Sequence, residues 1–148
     1  MAQIVPPFLK IGLLGFWSLW LSVVLVTNIF DALKAWGILP EDWRWFSGNY
    51  SIIKKAVPFP AWTIALLFVG VLLWEAIGVV LFWYALYRYS IAGPGGLGAV
   101  TAAFGVTLGL WAAFMISDEI FRIYQYQGTH LLLFIGQLLS LLAIFLLP

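Results

Sequence analysis

A single carboxylic acid, Glu75, lies near the middle of an apolar run over 61–86. At about 1.5 Å of rise per residue this run makes a helix of roughly 39 Å, enough to cross a hydrocarbon core of ~30 Å with some tilt. A carboxylate at that depth costs about 2.5–3.5 kcal/mol on insertion scales, so Glu75 is expected to face protein or water rather than lipid. An acid so placed serves either as a proton carrier, ion ligand or counter-charge, or as a neutral group hydrogen-bonded to a neighbouring helix. Asn28 and Asp31, three residues apart, share one face near the end of the first apolar run, and Gln137 is a deep polar group in the last. Asn28 and Gln137 are the expected partners of Glu75. Together Glu75, Asn28, Asp31 and Gln137 make a candidate intramembrane polar site.

A second group, Asp118, Glu119, Arg122 and His130, follows the third apolar run. If the helix continues a turn, Arg122 reaches either acid, four residues from Asp118 and three from Glu119. Asp31, Asp118 and Glu119 are therefore expected at solvated helix ends, paired with Lys34 or Arg122, where such pairs contribute ~0–1 kcal/mol each. The functional alternative joins Asp31, Glu75 and Glu119 into a proton or cation path.

Other chemistries find little support. His130 is the only histidine, so a bis-histidine haem within one chain is excluded, and a His/Met site would need Met115 or Met1. There are no cysteines, which removes disulfides, thiolate zinc sites and cysteine-ligated clusters. Ser18, Ser22, Ser117 and Ser140 have no Gly-x-Ser-x-Gly setting. The glycine cluster at 93–98 lacks the Lys-Ser/Thr of a phosphate loop. No catalytic residue, metal site or cofactor is expected.

The elements that must position these groups are helices in lipid. Of the 148 residues, 64% are hydrophobic and only 9% charged, against about 25% in a soluble domain. The net charge of +1 gives no electrostatic case for nucleic acid. The expected fold is all-α: one membrane domain over 1–148, a four-transmembrane-helix bundle with helices at about 11–33, 61–86, 97–116 and 131–147. Pro6-Pro7 is expected to stop any earlier start, and the first helix is expected to be kept rather than cleaved as a signal. Between helices 1 and 2 runs a long aromatic interfacial loop over 34–60. It carries Trp36, Trp43, Trp45, Phe46 and Tyr50, with a short helix expected around 40–46 and a turn at Gly48-Asn49. Trp83, Tyr84, Tyr87 and Tyr89 form an aromatic collar around Arg88, and Gly93-Pro94-Gly95-Gly96 makes a tight loop.

Small residues at Gly98, Ala102, Gly105 and Gly109 fall on one stripe of the third helix, a seam for close backbone approach. Its simplest use is packing within the bundle; facing a partner is the alternative. The fourth helix has a small face of Gly136, Ser140 and Ala143. Counting Lys34, Arg44, Lys54, Lys55 and Arg122 against Lys10 and Arg88 puts the loops after helices 1 and 3 in the cytoplasm.

The chain resembles the bacterial predicted small integral membrane proteins, domain of unknown function family 2165. The resemblance runs over nearly the full length. It is carried by Asn28 and Asp31, Gly48-Asn49 before helix 2, Trp74-Glu75, and Glu119-Ile120-Phe121 followed by Gln125. The family tends to have a histidine near the start of helix 2, where this chain reads Pro58-Phe59-Pro60-Ala61-Trp62, and a basic loop after that helix, where only Arg88 remains. The resemblance implies a bacterial cytoplasmic membrane with both termini cytoplasmic, opposite to the charge count, and it brings no reaction with it.

Little soluble mass, no cofactor ligand set and two close-packing faces lead to a first expectation. It is a non-catalytic accessory subunit of a larger membrane complex, of electron-transfer type, respiratory or photosynthetic, with other integral membrane subunits as partners. The alternative is a small homo-oligomeric carrier or channel using Glu75 for protons, cations or a small solute. An enzyme acting on lipid or quinone comes third.

Overall fold

The computed structural model describes residues 7–147, and among these it is helical without strands. Four long helices, α1 (Pro7–Ala35), α3 (Ala61–Ala92), α4 (Leu97–Phe121) and α5 (Tyr124–Leu146), are joined by a short α2 (Asn49–Ala56) and one 3₁₀ turn (Gly93–Gly96). The long helices have 29, 32, 25 and 23 residues, roughly 44, 48, 38 and 35 Å of rise. Three stretches, Phe8–Ala35, Ala61–Phe121 and Tyr124–Leu146, are long and apolar enough to cross a membrane. The middle stretch doubles back at Gly93–Gly96, so α3 and α4 lie antiparallel. Large apolar side chains stand outward along every long helix, Leu19, Val80, Ile116 and Leu139 among them, the surface that lipid accepts.

The hairpin of α3 and α4 is set by small residues at close approaches. A Cβ on Gly96 would lie 2.7 Å from the Tyr89 nitrogen, and one on Gly78 would lie 2.7 Å from Thr107 Cγ2. Between them Phe82 meets Phe104 edge to face at 4.8 Å. Around this seam Leu14, Leu21, Leu110 and Ile144 close a core that is shut off from solvent. Trp17 Nε1 donates to Ser140 Oγ at 3.0 Å, and Thr107 Oγ1 to Gln137 Oε1 at 2.7 Å, tying α5 to α1 and α4. Gly136 lets the Trp17 ring come close.

Every long helix differs at an end from its expected bounds. The first starts at Pro7 instead of 11, because Pro is tolerated in a first helical turn; of the lead expected at 1–10, residues 7–10 are helical and 1–6 lie outside the described residues. Helix α3 runs to Ala92, and the collar residue Tyr89 is buried beneath Gly96 rather than interfacial. Helix α4 continues to Phe121, where Arg122 takes a left-handed conformation (φ 56°) and Ile123 N donates back to Asp118 O at 2.8 Å. After that two-residue corner α5 begins at Tyr124, about two turns before 131.

The interfacial loop is also corrected. No helix forms at 40–46; Lys34 Nζ instead donates to the Trp43 carbonyl at 2.7 Å and lies over the Phe46 ring, folding the loop onto the end of α1. The short helix comes later, as α2, entered through Gly48 at φ 81°. Tyr50 is buried edge-on against Phe68 rather than lying in the headgroup zone. With Ala32 and Ile64 these residues seat α2 on α1 and α3.

Candidate ligand chamber

The end of the bundle where α1 and α4 finish and α3 and α5 begin is not filled. All five α-helices contribute to a chamber of about 500 Å³ there. Its walls are apolar and aromatic, with Trp20, Phe68, Trp111 and Phe114, and α2 covers it through Ile52 and Ile53. Polar groups reach it at two places, Glu75 with Asn28 and Asn49 at one and Asp118 with His130 at the other.

The structure brings Glu75, Asn28 and Asp31 into one network. Glu75 is 1% exposed, and its Oε1 accepts from Asn28 Nδ2 at 2.7 Å. Asn28 Oδ1 accepts from Asn49 Nδ2 at 2.9 Å. The Asn49 amide N–H donates to Ser47 Oγ at 3.3 Å, and Ser47 Oγ donates to Asp31 Oδ2 at 2.9 Å. Asp31 Oδ2 also accepts the Tyr50 amide N–H at 2.7 Å. A carboxylate borrowed from α1 thus satisfies one of the orphan donors in the first turn of α2. Asp31 is 4% exposed and does not pair with Lys34, contrary to its expected place at a solvated helix end. The loop that returns over α1 is what buries it.

Gln137 does not join Glu75; its oxygen is held by Thr107, deeper in the packed core. The second cluster separates too. Asp118 is 4% exposed, and its Oδ2 lies 2.5 Å from His130 Nδ1, across the corner between α4 and α5. The His130 ring rests on Phe114, with centroids 5.0 Å apart. Glu119 stays exposed and accepts from the Tyr124 hydroxyl at 3.3 Å. Neither acid pairs with Arg122: α4 does continue more than a turn past 116, but it ends at Phe121, and the left-handed Arg122 leaves the helical register that would bring it over them. Asp118 and His130 therefore belong to the chamber, and Glu119 and Arg122 to the outer surface.

The expected seam faces outward. Gly98, Ala102 and Gly105 are exposed, and a Cβ on either glycine would meet nothing within 4 Å. Only Gly109 is used inside the bundle, 3.3 Å from the Trp74 ring. Packing of α4 within the bundle instead uses the face of Val100, Ala103, Phe104 and Thr107.

Three buried side-chain atoms have no hydrogen-bond partner among the described residues: Glu75 Oε2, Trp111 Nε1 and Gln137 Nε2. Two of these residues, Glu75 and Trp111, line the chamber. No three His, Asp or Glu side chains among the described residues come together as a metal site. Asn49 and Trp111 were not singled out by the sequence as site residues; Asn49 reads there only as a turn and Trp111 as one aromatic among many. Comparison with protein-family models, curated proteins and solved structures gives no match.

Proposed function

We propose that this is an integral membrane protein of four crossings, α1, α3, α4 and α5, that binds a small lipophilic molecule in the chamber beneath α2. The observation that carries this reading is a largely apolar 500 Å³ space fed by all five α-helices, with a buried acid whose second oxygen has no partner. Pockets of that size and lining suit a drug-sized or smaller ligand, fixed in orientation by a few polar groups. Binding, alone or as a step in carrying the molecule across, fits this arrangement better than catalysis, because none of the lining hydroxyls, Ser117, Tyr126 and Thr129, hydrogen-bonds to the Asp118–His130 pair, and Ser117 Oγ donates to the Ala113 carbonyl instead. Native mass spectrometry of the chain released in mild detergent tests it. One small molecule per chain is expected, and Val71→Phe, which pushes a ring into the chamber, should lose it. A wild-type chain that stays bare, like the variant, would sink the reading.

The outward stripe of Gly98, Ala102 and Gly105 favours a second reading, an accessory subunit of a larger membrane complex, of electron-transfer type, or a homo-oligomer. Sizing of the same extract separates these: unlike chains at fixed ratio support the subunit, copies of this chain alone the homo-oligomer. Membership of the small integral membrane protein family, and with it a bacterial cytoplasmic membrane and cytoplasmic termini, rests on Asn28-Asp31, Trp74-Glu75 and Glu119 to Gln125. Cysteine-accessibility labelling at Gly95 and Glu41 would decide the orientation.

A further inference from the structure

We infer that the chamber selects an organic cation: an ammonium group on an apolar, aromatic or branched body. This deepens the chamber reading and rests on it. Two carboxylic acids, Glu75 and Asp118, line the space, and no Lys or Arg is among the described lining residues. The basic side chains around the space are engaged or turned elsewhere: Lys34 is held by Trp43 and Phe46, His130 by Asp118, and Lys54, Lys55 and Arg122 are exposed and outside the lining. Glu75 therefore has no cation supplied by the fold. Asn28 satisfies its Oε1, while Oε2 has no partner although the residue is almost completely buried. A buried polar atom without a partner is costly, and a ligand donor removes that cost.

The walls favour the same chemistry. Trp20, Trp111, Phe68 and Phe114 present aromatic rings around the space, and a desolvated cation gains from ring faces. Trp111 Nε1 is a second group without a partner, a donor that fits one ether, hydroxyl or carbonyl oxygen on the ligand body. An anion would face two acids. A wholly neutral lipid chain would leave Glu75 Oε2 as it stands. A bare metal ion would find only a pair, Asp118 with His130, and not the three converging ligands of a metal centre. An ammonium with an apolar body answers the acid and the walls together.

The test uses the full chain in lipid nanodiscs, with protein-free nanodiscs of the same lipid as blank. Equilibrium dialysis compares 4-phenylbutylammonium with 4-phenylbutanol, which share a body and differ in the charged head. The ammonium should bind once per chain and at least about tenfold more tightly than the alcohol, the scale of one charge-assisted contact. Glu75→Gln should bring the ammonium down to the alcohol's affinity and leave the alcohol unchanged. Equal binding of the two probes to the wild-type chain would overturn the inference while leaving the chamber reading intact; binding of neither would overturn both. A cation preference that survives Glu75→Gln would remove Glu75 from the assignment. The wild-type comparison decides the matter even where the variant fails to assemble.

Discussion

The two ends of this bundle are made by the same four long helices and are packed in opposite ways. At one end Leu14, Leu21, Phe82, Phe104 and Ile144 fill the interior, and small residues at Gly78 and Gly96 bring α3 and α4 into contact. Hydrogen bonds between neutral side chains, Trp17 to Ser140 and Thr107 to Gln137, cross that interior. At the other end the helices stand off around a chamber, and the acids Asp31, Glu75 and Asp118 are gathered beside it under a short helix. Close packing of a membrane bundle needs small residues at crossings and shape-matched apolar side chains. The hollow end lacks the crossings and carries aromatic residues that wall a space instead of filling it. One end holds the fold, and the other is free to hold something else.

The sharpest way to break that comparison is truncation of the same residue type at each end. Leu21→Ala, in the closed core, should cost about 2–5 kcal/mol, because the hole it leaves has no route to collapse. Leu67→Ala, on the chamber wall and half exposed, should cost about 1 kcal/mol or less, since its loss only widens a space already present. Reversible unfolding in mixed micelles measures both, and equal costs would mean that the two ends are packed alike. Next in size is Glu75→Leu, which leaves the Asn28 amide without its acceptor and should cost about 1–3 kcal/mol. Glu75→Gln keeps an acceptor oxygen and should stay within about 1 kcal/mol of wild type. Gly78→Ala should cost about 1–3 kcal/mol, because Thr107 is pinned by Gln137 and cannot retreat. The smallest effect has the opposite sign: Gly70→Ala, on an open face of α3, should stabilise by about 0.5–1 kcal/mol. Melting temperatures of the two glycine variants, taken side by side, show whether the α3–α4 seam is as tight as its distances say.

The apolar runs placed the long helices, because length and hydropathy are set residue by residue in lipid. The inward aspect of Glu75 followed from the cost of exposing an acid to hydrocarbon, and Asn28 was legible as its partner from polarity alone. The chamber was not legible. Asp118 and His130 meet only because α4 breaks at Arg122, a left-handed residue with no Gly or Pro to announce it. Asp31 is buried by a loop whose path depends on Lys34 reaching Trp43. The short helix escaped because Pro40-Glu41-Asp42 resembles a helix start, whereas the segment that does fold, NYSIIKKA, is held by an acid from another helix. The small-residue stripe misled for a different reason: spacing shows that small residues share a face, and says nothing of where the face points.

The amide of Asn28 gives the polar network a direction. Its oxygen is engaged by Asn49 and its nitrogen by Glu75, so the two side-chain amides stand head to tail, each with its positive end toward the interior. Water around a carboxylate in solution would orient in the same sense. The protein has put two fixed dipoles where that mobile shell would be, and they need no reorganisation to favour negative charge at Glu75. The surface helix that carries Asn49 is therefore part of the solvation of an acid buried well below it.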